Sequence, residues 1–166
     1  LLFRQLAREA AETAGFAGFA PDACLINRYA PGARLSLHQD RDEGNYAHPI
    51  VSVSLGVPAM FLWGGAQRAD KTRRIALLHG DVVVWGGPAR LRFHGVLPLP
   101  EAHHPLTGAH RINLTFRKAG CGRLRDSARS RRSESAALSA WRSLSSRQSM
   151  PAVCRPGRAP SGPGRW

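Results

Sequence analysis

The sequence is poor in cysteine, in acidic side chains and in long apolar runs, and each shortage excludes a class of protein. The three cysteines, Cys24, Cys121 and Cys154, form no CxxC pair, which argues against a disulfide-built secreted module and a cysteine zinc finger. The sequence contains no run of about 18 apolar residues, the length that would predict a membrane span. Charged residues interrupt the N-terminal segment, which is therefore unlike a signal peptide. We therefore expect a protein of a reducing compartment, the cytoplasm, with no membrane partner.

The shortage of acid is uneven along the chain. Overall, 24 Lys and Arg stand against 11 Asp and Glu, a formal charge of +13. Residues 119–166 alone carry 10 Lys and Arg against 2 acids, together with 10 Ser, and so little apolar surface cannot offset the entropy of ordering. We expect a folded domain at residues 1–119 and a disordered tail at 120–166, with one weak helix around Glu134–Leu144. The charge of this tail would suit phosphate contacts with nucleic acid.

Residues 1–119 predict one helix followed by short strands. Apolar residues recur at helical spacing from Leu2 to Ala14, and Gly15 ends the run. After Pro21, β-type segments alternate with Gly- and Pro-containing turns, with neither a βαβ rhythm nor an internal repeat. The predicted strands are Cys24–Tyr29, Ile50–Leu55, Ala59–Trp63, Arg74–Leu78, Val82–Trp85, Arg90–His94 and Arg111–Arg117. This pattern indicates a mainly β protein with a flanking helix, a β-sandwich or a jelly roll.

The first candidate site is the pair His38 and Asp40. In a strand, residues two apart point to the same face. An imidazole and a carboxylate there would form two thirds of a 2-His-1-carboxylate triad, which holds non-haem Fe(II) and leaves other positions open. Such a pair also arises by chance, so it needs a third ligand from a distant strand. His94 is the best placed of the other histidines, although a histidine there could equally be an ordinary core or surface residue.

The second candidate is the strand Arg111–Arg117, in which polar and apolar residues alternate strictly. Its apolar face predicts a core contact, and its polar face carries an arginine at each end. Strand rise separates the two arginines by about 20 Å, so both cannot bind one small carboxylate directly. A dicarboxylate lying between them could contact both guanidinium groups. The alternative is an edge strand with a solvated basic face.

Together these motifs resemble the AlkB family of Fe(II)- and 2-oxoglutarate-dependent dioxygenases. A further polar pair, Asn27 and Tyr29, offers an amide and a phenol on one strand face. The resemblance runs from about Phe16 to Gly120 and implies a double-stranded β-helix (jelly roll) core. The stretches that carry it are Asn27–Tyr29, Leu37–Asp42, Val51–Gly56, Gly80–Trp85, His94-Gly95 and Arg111–Arg117.

The resemblance implies a role for each matching residue. The Fe(II) ligands would be His38, Asp40 and His94. The 2-oxoglutarate-binding residues would be Asn27, Tyr29, Arg111, Asn113 and Arg117. Arg111 would hold the distal carboxylate of 2-oxoglutarate, and Arg117 would lie near the metal end. Asp42 and Arg68 would contact the substrate, and Trp85 would pack beside the site.

The activity that the resemblance implies is oxidative demethylation of 1-methyladenine and 3-methylcytosine in single-stranded DNA or RNA. It would consume 2-oxoglutarate and O₂, release succinate, CO₂ and formaldehyde, and be carried out by a monomer. The family has a nucleotide-recognition lid before this region, whereas about 15 residues precede the match here, starting at Leu1 without an initiator methionine. We therefore expect a truncated chain that lacks the lid. Two alternatives are a hydroxylase of a protein or small molecule, and an inactive nucleic-acid binder.

Overall fold

The computed structural model of the chain describes residues 2–43, 45–120 and 150–154. Helix α1 spans Leu2–Thr13, and the chain leaves it through Gly15, whose φ of +88° favours glycine. The predicted helix is therefore confirmed. Its small buried residues, Ala7 and Ala11, let the helix lie close against the neighbouring sheet.

In the described ranges, nine strands form two antiparallel sheets. They are β1 (Ala23–Tyr29), β2 (Leu35–His38), β3 (Ile50–Gly56), β4 (Ala59–Trp63), β5 (Arg73–Leu77), β6 (Val82–Trp85), β7 (His94–Val96), β8 (Arg111–Arg117) and β9 (Ala152–Cys154). One sheet has the order β1-β8-β3-β6-β9, and the other has the order β2-β7-β4-β5. This arrangement confirms the predicted jelly roll. No helix among the described residues is long and apolar enough to cross a membrane.

The five-stranded sheet has a hydrophobic face toward α1 and a partly polar face toward the other sheet. In β3, Val51 and Val53 pack with the alanines of α1, whereas Ser52 and Ser54 point the other way because side chains alternate along a strand. A second core lies between the sheets and contains Trp63 and other aromatic residues. The polar inner stripe of β3 therefore lies beside the inward face of β8.

Two strand predictions next to the candidate residues are wrong in detail. The segment Arg90–His94 is not a strand, since a short 3₁₀ helix (Gly87–Ala89) and a turn precede β7, which begins at His94. Strand β2 ends at His38, so the strand argument for the pairing of His38 with Asp40 does not apply. In both places side-chain contacts to other elements set the backbone path, and a local periodicity does not record them.

The tail predicted to follow residue 119 is not disordered throughout. Ala152–Cys154 form β9, which pairs antiparallel with β6 at the edge of the five-stranded sheet. Its apolar residues cover that edge, a role that a composition dominated by Arg and Ser does not reveal. The proposed helix at Glu134–Leu144 lies outside the described residues.

Candidate active site

Three potential metal ligands converge at one end of the space between the sheets. His38 ends β2 and lies opposite His94, the first residue of β7, and Asp40 follows two residues after β2. The Nε2 atoms of His38 and His94 lie 3.6 and 3.4 Å from the two carboxylate oxygens of Asp40. One donor atom from each of the three residues lies within 4.8 Å of the others. The structure thus brings together the three residues that the sequence suggested as ligands.

Backbone carbonyl groups orient both imidazole rings. The Nδ1 atom of His38 donates to the carbonyl of Ser36, and Nδ1 of His94 donates to the carbonyl of Arg92, each at 2.9 Å. These bonds leave both Nε2 atoms facing Asp40. Histidines that bind metals are commonly oriented in this way by a second hydrogen bond. Trp85 packs against His94 with ring centroids 5.0 Å apart, which agrees with the packing role predicted for it.

Asp40 is buried and faces several cationic or polar groups. Arg117 at the end of β8 donates to Oδ1 of Asp40 at 2.7 Å. Burial by itself would raise the pKa of the Asp40 carboxyl, but the imidazoles of His38 and His94 and the Arg117 charge hold that pKa well below its usual range. The carboxylate therefore stays ionised, the form that binds a cation.

A buried ion-pair network that sequence analysis missed supports this region. Glu43 accepts from Arg117 at 3.0 Å and from Arg90 at 2.7 Å, and both Glu43 and Arg90 are buried. Arg90 also donates to the backbone carbonyl groups of Asp40 and His48. The position of Glu43, three residues after Asp40, is only a weak indication in the sequence that it belongs to the site. Nothing in the local sequence pattern indicates a role for Arg90. The network connects β8 to the segment that carries Asp40.

Arg111, at the opposite end of β8, is buried and forms no ion pair with another described residue. Its side chain is 2% exposed, it lies opposite Tyr29 of β1, and its guanidinium carbon is 6.0 Å from the Tyr29 ring centroid. The Nε atom has no hydrogen-bond partner among the described residues. Burial lowers the pKa of Arg111 although Tyr29 and Asp81 act in the opposite direction. A buried guanidinium of this kind favours a carboxylate ligand.

Asn113 contributes mainly to the scaffold. Its amide nitrogen donates to the Ser52 hydroxyl at 2.7 Å and to the Val53 carbonyl at 3.0 Å, and its amide oxygen accepts from Thr115. These contacts hold β8 against β3 and use both ends of the amide. Asn113 therefore lines the site, but its hydrogen bonds are made with other residues of the protein. The prediction that Asn113 binds 2-oxoglutarate did not include these bonds.

One cavity of about 230 Å³ joins the two ends of β8. The predicted site residues that line it are Asn27, Tyr29, His38, Asp40, Asp42, His94, Arg111, Asn113 and Arg117. Asp42 is exposed on its rim. Arg68 is not a lining residue: its exposed guanidinium donates to the Leu37 carbonyl at 2.8 Å. The structure thus gathers every predicted site residue except Arg68 around one cavity.

The donor set fits a divalent transition metal, and the cavity fits a small dicarboxylate beside it. Two imidazoles and one carboxylate on adjacent elements match the 2-His-1-carboxylate arrangement, which suits Fe(II) and leaves coordination positions open. No described residue accepts a hydrogen bond from the Nε of buried Arg111, so an acceptor from a ligand would suit this end of the cavity. A ligand with one carboxylate at Arg111 and another pair of oxygens at the metal end would provide an acceptor for Arg111 and donor atoms for the open coordination positions.

Comparison with known proteins identifies the same chemistry. Residues 2–117 match the family model of the 2OG-Fe(II) oxygenase superfamily. The α-ketoglutarate-dependent dioxygenase AlkB of Salmonella typhimurium is 62% identical over 119 residues, which are 72% of this chain and 55% of that protein. AlkB of Escherichia coli is 61% identical over 118 residues, 71% of this chain and 55% of that protein. The chain therefore spans about half the length of these relatives.

A solved structure agrees with the sequence comparisons. The structure of OsALKBH1 superposes with a TM-score of 0.62 and 34% sequence identity. The match covers 70% of this chain and 64% of that one. The shared region contains the jelly roll, and the agreement extends the likeness from sequence to architecture.

Proposed function

This chain belongs to the 2OG-Fe(II) oxygenase superfamily and, within it, to the AlkB family, and from that premise we propose that it is a dioxygenase that demethylates alkylated nucleic-acid bases. One observation carries the proposal: a 2-His-1-carboxylate set lines the same cavity as a buried arginine that is not ion-paired with any described residue. Residues 1–119 would form the catalytic domain, with β9 added at its edge. As further proposals, the protein acts in the cytoplasm as a monomer.

His38, Asp40 and His94 would hold Fe(II). Bound there, Fe(II) together with 2-oxoglutarate and O₂ would supply the oxidising chemistry that hydroxylates the N-methyl group of the base. The backbone carbonyl groups that accept from both Nδ1 atoms orient the imidazoles so that each Nε2 is aimed at the metal position. Arg117 keeps the Asp40 carboxylate ionised and in place.

Arg111 and Tyr29 would bind the distal carboxylate of 2-oxoglutarate. A guanidinium forms paired hydrogen bonds with a carboxylate, and exclusion of water strengthens them. Asn27 would contact the middle of the ligand from β1, and Arg117 would lie beside its metal-side carboxylate. Asn113 would act through its contacts with β3, which set the position of β8. These residues bind and orient the cosubstrate so that one orientation prevails.

The substrate would be 1-methyladenine or 3-methylcytosine in single-stranded DNA or RNA. A methyl group at these positions blocks normal pairing and adds positive charge, so extruding the base costs less and the carboxylate of Asp42 at the rim attracts it. Arg68, which is exposed near β2, would contact the strand outside the cavity. The excess of Lys and Arg over acids in the chain supports a polyanionic substrate.

The proposal is tested by loading the protein with Fe(II) and 2-oxoglutarate without oxygen, then adding O₂ and an oligonucleotide with one 1-methyladenine. Succinate and the demethylated base are followed together, with an unmodified oligonucleotide as the control. Formation of both products in step is the expected result. Succinate without demethylation would favour a hydroxylase of another substrate, and the absence of both with tight DNA binding would favour an inactive binder.

A further inference from the structure

A second cavity lies beside the hairpin of β4 and β5 and shares no lining residue with the active-site cavity. Its volume is about 700 Å³. Among the residues that line it are Trp63, Asp70, Lys71, Arg73, Arg92 and Met150. We call it the basic cavity, because it has three cationic side chains and one acidic side chain.

Two cationic side chains of the basic cavity have no acidic partner within the described part of the chain. Neither Lys71 nor Arg73 forms an ion pair there, and Arg73 donates only to the sulfur of Met150 at 3.5 Å, a weak acceptor. The single acid, Asp70, accepts from the backbone nitrogen of Gln67 at 2.9 Å. The excess positive charge favours an anionic ligand in the cavity.

A buried donor in the cavity wall lacks an acceptor. Trp63 is 2% exposed, and no described residue accepts a hydrogen bond from its indole Nε1. The guanidinium carbon of Arg92 lies 5.9 Å from the centroid of its ring. Buried donors are rarely left without partners. A ligand with several oxygen acceptors, such as a phosphate group, would satisfy this donor and the cations together.

The basic cavity is linked to the candidate metal ligands through Trp63 and Arg92. Trp63 is the cross-strand neighbour of both Arg73 on β5 and His94 on β7, which places Arg73 and His94 about 10 Å apart by two strand spacings. Arg92, which lines the basic cavity, also accepts the bond from Nδ1 of His94 through its backbone carbonyl. The two cavities are thus adjacent, separated by one strand.

We propose that the basic cavity binds a backbone phosphate of the nucleic-acid strand whose modified base enters the active-site cavity. The inference rests on the proposed function, and it adds a contact point that none of the predicted site residues supplies. The strand would be held at the rim by Arg68 and in the basic cavity by Lys71 and Arg73. Trp63 would donate to a phosphate oxygen, and the distance to His94 would fix which base reaches the metal.

The test measures binding of a labelled, unmodified single-stranded oligonucleotide to the full chain by fluorescence anisotropy at several salt concentrations. The variants are Lys71→Gln and Arg73→Gln. The matched control is Arg74→Gln, because Arg74 is the next residue of β5, is exposed, and does not line the cavity. Each lost phosphate contact should lower the salt slope by about 0.7 for a single strand, and Arg74→Gln should leave the slope unchanged.

Trp63→Phe provides a second test, since it removes the indole donor without changing charge. The expected result is about tenfold weaker binding of the oligonucleotide with an unchanged salt slope. Equal slope changes for Arg73→Gln and Arg74→Gln would overturn the proposal, because they would indicate diffuse attraction. Displacement of the oligonucleotide by an equal concentration of inorganic phosphate would also overturn it, because the site would then take the free ion.

Succinate formation in the same samples separates this inference from the proposed function. If Arg73→Gln forms succinate from 2-oxoglutarate like the unmodified protein but binds the oligonucleotide more weakly, the phosphate site is supported. If the unmodified protein forms no succinate, the proposed chemistry fails. The phosphate site would still stand in that case if Arg73→Gln weakens binding of the oligonucleotide and Arg74→Gln does not.

Discussion

The two ends of the active-site cavity are built differently, although each carries an arginine of β8. At the metal end, Arg117 is bonded to Asp40 and Glu43, and Glu43 is bonded in turn to Arg90. At the other end, Arg111 is buried and its Nε has no partner among the described residues. The proposed metal end is therefore already held together by ion pairs in the folded chain, whereas the far end would be completed by the carboxylate that the proposed function assigns to it.

This difference has an energetic consequence. A buried ion pair within a hydrogen-bonded network resists the removal of either partner, because the remaining charge would be left alone in the interior. A buried arginine without an anion carries that desolvation cost already. Burial of Arg111 should thus lower the free energy of unfolding of the ligand-free protein, and binding of a dicarboxylate would raise it again. Four substitutions test this comparison, from the largest expected effect to the smallest.

His94→Ala removes one of the three proposed metal ligands at the end that is already held by ion pairs. We expect turnover to fall on the order of 1,000-fold and Co(II) binding, followed by absorption without oxygen, to weaken strongly. His103→Ala, at an exposed position, is the control and should bind Co(II) normally. Normal turnover and Co(II) binding in His94→Ala would contradict the ligand assignment.

Glu43→Gln breaks the network behind the metal end. Because Arg90 and Arg117 would lose a shared buried partner, the free energy of unfolding should fall by about 3 kcal/mol, measured by urea denaturation without ligands. Glu101→Gln, at an exposed position, should change it by less than about 0.5 kcal/mol. Equal stability of the two variants would show that the network does not hold the site.

Arg111→Met tests the end of the cavity where the distal carboxylate of 2-oxoglutarate would bind. Titration calorimetry should show 2-oxoglutarate binding weakened about 30- to 150-fold, since charge-assisted hydrogen bonds to the distal carboxylate are lost. The ligand-free protein should be as stable as before or slightly more so, because a buried unpaired charge disappears. Arg117→Met should instead destabilise the ligand-free protein. A large loss of stability in Arg111→Met would remove the contrast between the two ends.

Asp42→Ala probes the exposed rim, where solvent screens charge and the effect is smallest. Demethylation of 1-methyladenine should slow by about fivefold, while succinate formation without oligonucleotide should stay the same. Asp42→Asn keeps the side-chain shape and should show the same loss if charge is what matters. If both reactions slow equally, Asp42 does not act on the base.

Much of the fold could be predicted from short-range patterns. The apolar spacing before Gly15 marked α1, and strict alternation in β8 marked a strand with the observed bounds. The bounds predicted for β4 are also the observed ones. Alternation also showed which side chains of β8 would face inward together. These predictions succeeded because a helix or strand buries one face, and burial leaves its period in the sequence.

The candidate site was predicted in part. His38, Asp40 and His94 were marked by residue type and by the resemblance of several ordered motifs, and the AlkB family itself is confirmed. The roles of Glu43 and Arg90 were not foreseen, because a buried ion pair between residues 47 positions apart has no local signature. The scaffold role of Asn113 depends on Ser52 and Val53 of another strand and was equally hidden.

Residue identity and order were sufficient for the fold class, the family and the set of chemically able side chains. Tertiary structure decided which of those side chains share a cavity, leaving Arg68 outside it. It also decided that Arg117 is paired with Asp40, while the Nε of Arg111 has no partner in the part of the chain that the structure describes. Local pattern reports the burial of a face, whereas partnership between buried polar groups depends on which distant strands the fold places side by side.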